Sequence, residues 1–336
     1  MKTFLPLAAL AASFVLAASS PAGAQDIQDR VIKFGHLNNP DHPVSFGVKR
    51  FSELLAAKSG GKLKVQEFPS STLGNEMQQQ SALQGGVQEM SAPATTSLAG
   101  IVKEFGLVDF PFAVSSFAQA DALLDGPFGQ ALLARLPEKG LVALGYWDLG
   151  FRNVTNSKRA ILKPADLEGL KLRVIPNPVF LETFRAFKAN PVPMPFAELY
   201  TALESRAVDG QENPFAVILS NKFYEVQKYV TATNHVYAAN IVLVSKRFWD
   251  RLSSTERRIM TEAASEARGY QRQVSRAAAQ RAVAELQAKG MQFNELSPAE
   301  QARMSEIARP VTQRLAAGYD PAMVKLYHDE LARIRK

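Results

Sequence analysis

The sequence predicts an α/β fold. Segments that alternate apolar and polar residues with a period of two are followed by segments with helical periodicity, an order typical of sheets with parallel strand pairs. The chain has 336 residues, more than one ordinary hydrophobic core accommodates, which predicts two lobes. Cysteine is absent, which excludes disulfides, thiolate metal sites and cysteine nucleophiles, so stability must come from core packing.

Residues 1–24 have the pattern of a secretory signal peptide. Lys2 supplies a positive charge, an uncharged apolar segment covers residues 5–16, and Ala22-Gly23-Ala24 is a small-residue cleavage site. The apolar segment is too short to span a bilayer as a helix. We therefore expect cleavage near Ala24 and a soluble mature protein in the periplasm.

The elements that follow repeat a strand–helix order. Strands are predicted at residues 31–36 and 63–68. Between them a helix should begin at Pro43 and end before Gly60, and a second helix should cover residues 76–84. In such sheets ligands bind at loops that follow the strands.

Two strands are predicted to connect the lobes. After a helical segment at residues 118–136, the apolar residues 141–147 continue into residues 150–155, which we expect to be the first crossing. A helix should begin near Pro195 and stop before Gly210. The apolar residues 241–244 are a candidate for the return crossing.

Arg173 lies on a predicted strand at residues 170–175, where apolar and charged side chains alternate until Pro176. The preceding residues 164–169 are predicted to form one helical turn closed by Gly169. If the sheet is covered on both faces, the guanidinium is buried and needs an anion. The alternative is an edge strand with a solvated or surface-paired arginine.

The last third of the chain is predicted to be helical. Ser253 and Glu256 form a capping-box pattern, and the segment contains no proline before Gly290. A helix of about 36 residues would be roughly 54 Å long, enough to pass along both lobes.

Several kinds of site are excluded by their missing patterns. The four histidines do not have the spacing of a metal-binding helix, and no Gly-x-Ser-x-Gly, dinucleotide or ATP loop is present. The formal net charge is +7, but the basic residues are scattered among acids, so nucleic acid is not an expected partner. We expect no metal and no cofactor.

A set of polar residues remains near the ends of the predicted strands. We place Arg152, Arg173, Asn177 and Asn213 in loops after strands, and Glu76 at the start of a helix. Arginine offers a planar fork that matches a carboxylate with two parallel hydrogen bonds, and asparagine can donate to the same oxygen. Together these residue types are suited to an organic acid.

Each residue alone also has a structural explanation. Asn213 could cap a turn, Arg152 could form a surface ion pair, and Glu76 could interact with the positive end of a helix.

Segments in order along the chain resemble the solute receptors of tripartite ATP-independent periplasmic (TRAP) transporters of the DctP type. Three segments carry this resemblance: Gly-Phe-Arg-Asn at residues 150–153, the segment 166–174, which ends in Lys-Leu-Arg-Val, and Val-Asp-Gly-Gln-Glu-Asn-Pro at residues 208–214. Residues 193–200, 222–226 and 233–235 fit the same pattern.

The resemblance implies a two-lobed periplasmic binding protein fold with crossing strands, a ligand enclosed between the lobes and a long helix along both. Lobe I would comprise residues 25–149 and about 238–278, and lobe II residues 150–237 and about 279–331. In that family the arginine of Lys-Leu-Arg-Val holds the ligand carboxylate, a role that falls to Arg173. Arg152 and Asn213 match residues that line the same pocket.

The resemblance also suggests further ligand contacts. Asn177, Glu76 and Asn240 match positions where the family can place polar contacts, and Glu76 would meet ligand hydroxyls. Phe151 and Phe215 would favour an aromatic or apolar acid if they faced the cleft, but aromatic side chains more often belong to the core. We therefore favour a sugar acid or small hydroxy acid.

The sequence-based hypothesis is a periplasmic receptor that captures a small organic acid by lobe closure and delivers it to a TRAP membrane permease, without enzymatic activity. Alternatives are a receptor for an aromatic or dicarboxylic acid, a sensory binding protein, and a periplasmic enzyme with Glu76 or Glu212 as base.

Overall fold

The computed structural model describes residues 27–335, so the predicted signal peptide lies outside the described residues. The strands are β1 Arg30–Gly35, β2 Leu63–Phe68, β3 Met90–Ser91, β4 Leu141–Asn156, β5 Lys171–Val174, β6 Asn190–Pro193, β7 Gly210–Pro214, β8 Tyr229–Ser245 and β9 Gln292–Glu295. The helices are α1 Pro43–Lys58, α2 Glu76–Gly85, α3 Phe117–Asp125, α4 Pro127–Leu133, α5 Pro178–Ala186, α6 Leu199–Glu204, α7 Phe215–Ser220, α8 Lys246–Asp250, α9 Ser254–Ala288, α10 Pro298–Ala316 and α11 Pro321–Ile334.

Over this range the strands form one mixed sheet in the order β2-β1-β3-β8-β4-β7-β5-β6, and β9 also pairs with β8. Parallel pairs join β1 to β2 and β3, and β5 to β6 and β7. The central pairs, β3 with β8, β4 with β8 and β4 with β7, are antiparallel. The α/β prediction is confirmed, with an antiparallel centre that the strand–helix order did not indicate.

The two long strands connect both parts of the sheet. β4 and β8 pair from Leu141 with Ser245 to Asn156 with Tyr229. One end of this ribbon carries β1–β3, called here the β1 side, and the other end carries β5–β7, the β5 side. The predicted crossing strands are therefore present, and the return crossing is longer than residues 241–244.

Helix α9 lies against both sides of the sheet. It has 35 residues, begins after Ser253 with the predicted capping box to Glu256, and is followed by Gly290 with a φ of 93°. It contacts α1 on the β1 side and α7 on the β5 side. The long-helix prediction is confirmed.

The structure refines one prediction of local structure and contradicts another. The helical segment predicted at residues 118–136 consists of two helices, α3 and α4, because Pro127 starts a new helix after Gly126 in an extended conformation. Asn213, predicted to lie in a loop, belongs to the fully buried strand β7. The sequence of β7 has no apolar alternation, and its polar side chains are satisfied by hydrogen bonds to neighbouring strands.

None of the helices within residues 27–335 combines the length and hydropathy needed to cross a membrane.

Candidate ligand-binding cavity

A cavity of about 40 Å³ lies between the β1 side and the β5 side of the sheet. Its lining contains two arginines, one carboxylate and two asparagines among apolar residues: Leu37, Asn38, Glu76, Ala92, Ala94, Leu149, Arg152, Arg173, Ile175, Phe196, Asn213 and Val217. The structure therefore brings together four of the residues selected from sequence, Glu76, Arg152, Arg173 and Asn213. They come from α2, β4, β5 and β7.

Arg173 is completely buried in β5, which is paired on both edges, so the edge-strand alternative is wrong. Its Nε and Nη2 donate to the carbonyl oxygen of Met194 at 2.9 and 2.7 Å, and the guanidinium lies 5.9 Å from the Phe196 ring centre. Nη1 is buried and has no hydrogen-bond acceptor among the described residues. No carboxylate within residues 27–335 lies at ion-pair distance from Arg173.

Burial lowers the pKa of Arg173 to about 10, although the carboxylates of Glu76 and Glu212 partly offset the effect. The guanidinium is therefore still protonated at neutral pH. A buried cation without a bonded anion is costly, and the hydrogen bonds of Arg173 go only to a neutral carbonyl. The free Nη1 makes Arg173 a strong attachment point for a carboxylate.

Arg152 is equally buried, but its charge is balanced. Its Nε and Nη2 donate to the two carboxylate oxygens of Glu212 at 2.5 and 2.8 Å, and Nη2 also reaches Asn213 Oδ1 at 3.2 Å. Its Nη1 has no acceptor among the described residues. Arg152 can thus donate to a ligand while Glu212 neutralises it, and a surface ion pair, the structural alternative for Arg152, is wrong.

Glu212 also accepts a hydrogen bond from His235 Nε2 at 3.0 Å. Burial alone would raise the pKa of Glu212, but Arg152 and His235 outweigh it and hold the pKa below its ordinary value. Burial lowers the pKa of His235, which Glu212 only partly counteracts. An ionised Glu212 and a neutral His235 therefore leave Arg173 as the cation of the lining that has no bonded anion among the described residues.

Glu76 also lines the cavity, and its carboxylate is close enough to Arg173 to favour the protonated guanidinium. It is the first residue of α2, after the capping residue Asn75, and its Oε1 accepts a hydrogen bond from Phe196 N at 3.2 Å. This bond joins the β1 side to the β5 side across the cavity. An ionised carboxylate only accepts hydrogen bonds, so it suits a ligand hydroxyl and repels a second carboxylate.

Asn38 was not selected from the sequence although it lines the cavity and is nearly buried. Asn38 lies three residues after the end of β1. Because ligands in such sheets bind at the loops that follow the strands, this position in the sequence could have identified it. Arg152 and Asn213, expected in loops, lie within strands β4 and β7.

Asn177 does not line the cavity. Its Oδ1 accepts from Val179 N at 2.8 Å and caps α5, and its Nδ2 donates to Thr96 O and Asp109 Oδ2 at 3.0 and 2.9 Å. Because both parts of the amide are used inside the protein, the structure gives Asn177 a role in joining α5 to the segment around Asp109. Burial raises the pKa of Asp109 to about 7 despite the hydrogen bonds from Thr96 and Asn177.

Three other predicted contacts lie outside the cavity lining. Asn240 is buried in β8, and a backbone bridge pairs it with Ala94. Phe151 packs edge-on against Phe117 and Tyr237, each with ring centres 5.4 Å apart. Phe215 packs against Phe293 at 6.1 Å. The two phenylalanines contribute to apolar clusters, so neither presents a ring to the cavity.

In the described part of the chain no group of three or more His, Cys, Asp or Glu side chains is arranged to hold a metal ion.

Comparison with known proteins places this arrangement in a family. Residues 34–318 match DctP, described as bacterial extracellular solute-binding protein, family 7. The sugar acid binding protein DctPAm from Advenella mimigardefordensis, solved with galactonate, is 40% identical with a TM-score of 0.90, over 92% of this chain and 100% of that chain.

Two curated relatives differ in the ligand that their names give. The 2,3-diketo-L-gulonate-binding periplasmic protein YiaO of Escherichia coli is 40% identical over 72% of this chain and 74% of its own length. The C4-dicarboxylate-binding periplasmic protein DctP of Rhodobacter capsulatus is 33% identical over 91% of both chains. The resemblance inferred from sequence is thereby confirmed. This chain belongs to the DctP family, the solute receptors of TRAP transporters.

Proposed function

We propose that this receptor binds a monocarboxylate with several hydroxyl groups, such as a sugar acid, in the cavity between the two sides of the sheet. The observation that carries the proposal is the completely buried Arg173, whose Nη1 lacks an acceptor within the described residues. The ligand carboxylate would accept from Nη1 of Arg173 and from Nη1 of Arg152.

The charges of the lining favour one carboxylate over two. Arg152 is neutralised by Glu212, so Arg173 supplies the remaining positive charge of the lining and Glu76 supplies a negative one. A second ligand carboxylate would lie near Glu76 without a cation of its own. Hydroxyl groups, in contrast, can donate to Glu76 and exchange hydrogen bonds with the amides of Asn38 and Asn213. Two relatives support this class of ligand. DctPAm was solved with galactonate, and YiaO is named for 2,3-diketo-L-gulonate.

The proposed cycle is capture by lobe closure in the periplasm and delivery to a TRAP membrane permease. The proposed lobes are residues 25–149 with about 238–278, and residues 150–237 with about 279–331. The hydrogen bond between Glu76 and Phe196 N would form as the lobes close. The ligand would be released chemically unchanged, and cleavage near Ala24 would precede folding in the periplasm.

The test is the thermal stability of ligand-free mature protein with galactonate, gluconate, erythronate, succinate and malate, followed by calorimetry and by mass spectrometry of the recovered ligand. A ligand at about 100 times its Kd adds roughly 2.7 kcal/mol, which raises the Tm by a few degrees. Stabilisation by hydroxylated monocarboxylates and recovery of the same molecule support the proposal. Preference for succinate or malate would contradict the ligand class, and a changed product would contradict the receptor role.

A further inference from the structure

A second cleft adjoins the cavity. It has a volume of about 350 Å³, and two residues, Glu76 and Ile175, line both spaces. The rest of its lining comes from α2, the turn around residues 97–101 and the loops after β5 and β6: Met77, Gln80, Ser81, Gln84, Ser97, Gly100, Ile101, Pro176 and Pro195. The cleft therefore shares the boundary formed by Glu76 and Ile175 with the cavity, and both sides of the sheet contribute to it.

The two glutamines and Ser97 of this cleft are already hydrogen-bonded within the protein. Gln80 Nε2 donates to the Ser97 carbonyl and hydroxyl at 3.2 and 2.8 Å, and Gln84 Nε2 donates to Lys139 O at 2.9 Å. The lining therefore offers a ligand mainly apolar surface. Met77 and Ile101 come from the β1 side, and Ile175, Pro176 and Pro195 come from the β5 side.

Met77 is 67% exposed, a large apolar side chain at the edge of this cleft. Methionine is flexible and adapts to apolar groups of different shape. Glu76 lies at the boundary between the two spaces, and a single hydrogen bond among the described residues, from Phe196 N at 3.2 Å, holds its carboxylate. The side chain has three rotatable bonds, so it can change position without a shift of the backbone.

We propose that this cleft is a distal subsite that takes an apolar substituent, alkyl or aryl, carried by the hydroxy acid at the end far from its carboxylate. The inference rests on the proposed function. The carboxylate is held by Arg173, the hydroxyl groups meet Glu76 and the asparagines, and the apolar substituent passes Glu76 and covers Met77, Ile101 and Pro176.

The test measures Kd by calorimetry for galactonate and for the 2-hydroxy acids lactate, 2-hydroxyhexanoate and 2-hydroxyoctanoate. Once the tail reaches the cleft, each added methylene should lower Kd by about fourfold. Ser81→Trp fills the cleft from the exposed face of α2 and should abolish this gain, with Kd for galactonate and lactate unchanged.

Met77→Gln should reduce, but not abolish, the decrease in Kd per added methylene. Val87→Gln serves as the matched control. Val87 is 71% exposed and lies near α2 but outside the cleft, so its replacement should leave the whole series unchanged. Met77→Gln also keeps the test decisive if Ser81→Trp fails to fold.

The outcomes separate the two proposals. If neither galactonate nor any 2-hydroxy acid binds, the proposed function fails. If galactonate or lactate binds but Kd does not fall with longer tails, the subsite is wrong and the proposed function stands. The same conclusion follows if Kd falls with tail length equally in the wild type, Ser81→Trp and Met77→Gln.

Discussion

Arg152 and Glu212 form a completely buried ion pair between the adjacent strands β4 and β7, with both carboxylate oxygens accepting from the guanidinium. Of the two arginines beside the cavity, Arg152 is therefore the one whose charge is neutralised within the protein. Because Glu212 balances Arg152, we expect a ligand anion to bind at Arg173, whose own partner is the Met194 carbonyl. Arg152 and Arg173 are equally buried, but Arg152 has a carboxylate partner and Arg173 has only a carbonyl partner, so we expect different roles for them in ligand binding.

Arg173→Ala is expected to weaken binding of the ligand that stabilises the wild type. Loss of one partner of a desolvated charge pair costs about 2–5 kcal/mol, or roughly 30-fold to several thousand-fold in Kd. Arg173→Lys should fall between the two proteins because it keeps the charge but not the planar fork. Calorimetry measures both, with circular dichroism to check folding. Wild-type affinity in Arg173→Ala would refute the carboxylate assignment.

Glu212→Ala should destabilise the fold itself. It leaves the guanidinium of Arg152 buried without an anion, and breaking a buried pair in this way costs about 3–5 kcal/mol. Urea unfolding without ligand measures the difference. Glu53→Ala is the matched control, because its ion pair with Arg50 is exposed and should contribute little. Equal stability of the two variants would mean that Arg152 finds another partner.

Glu76→Gln is expected to change selectivity more than stability. An amide still accepts a hydrogen bond but lacks the charge, so affinity for a hydroxylated acid should fall by the difference between a charged and a neutral hydrogen bond, about 1–1.5 kcal/mol, or roughly 5- to 13-fold. Succinate should bind better than to the wild type, because the repulsion from the Glu76 carboxylate is removed. Competition calorimetry with galactonate and succinate measures the ratio, and an unchanged ratio would remove Glu76 from the selectivity mechanism.

Asn177→Ala should lower stability and spare ligand binding. The change removes the cap of α5, worth about 0.5–2 kcal/mol, together with the hydrogen bonds to Thr96 and Asp109. Denaturant unfolding should show the loss, while Kd of the folded variant should stay within about twofold of the wild type. A large loss of affinity in a variant of normal stability would restore the direct contact expected from sequence.

The stability of the protein should decrease at acidic pH through His42. Its Nδ1 accepts from Val44 N at the start of α1, and burial, with a smaller effect of His36, lowers the pKa of His42 to about 3. The unfolded imidazole titrates near 6.5, so between about pH 6.5 and 3 the unfolded chain binds a proton that the folded chain does not. Stability therefore falls as pH falls, by roughly 1.4 kcal/mol per unit in this window.

His42→Asn keeps an acceptor at the cap and removes the titration, so unfolding free energies at about pH 7, 5.5 and 4.5 should vary less than in the wild type. His328→Asn removes an exposed imidazole and is the control. If the two variants show the same dependence as the wild type, His42 is not the group responsible.

Local patterns in the sequence were enough for much of the fold. Alternation identified β1, β2 and β5, the capping box located the start of α9, and Gly290 located its end. These features depend on residues a few positions apart, so the sequence contains them directly. The strand position of Arg173 and the motifs of the DctP family could be inferred in the same way.

The chemistry of the site depended on the tertiary structure. Glu212 neutralises Arg152 from 60 residues away, and only the pairing of β4 with β7 brings them together. The same pairing turned a polar segment without alternation into the buried strand β7. Asn177 and Phe151 have side chains suited to a ligand, but neighbours distant in sequence direct them into a helix cap and an apolar cluster. Sequence by itself determined the elements and the candidate residues, whereas long-range packing decided which charges remain unpaired and face the cavity, because desolvation acts on groups according to their neighbours in space.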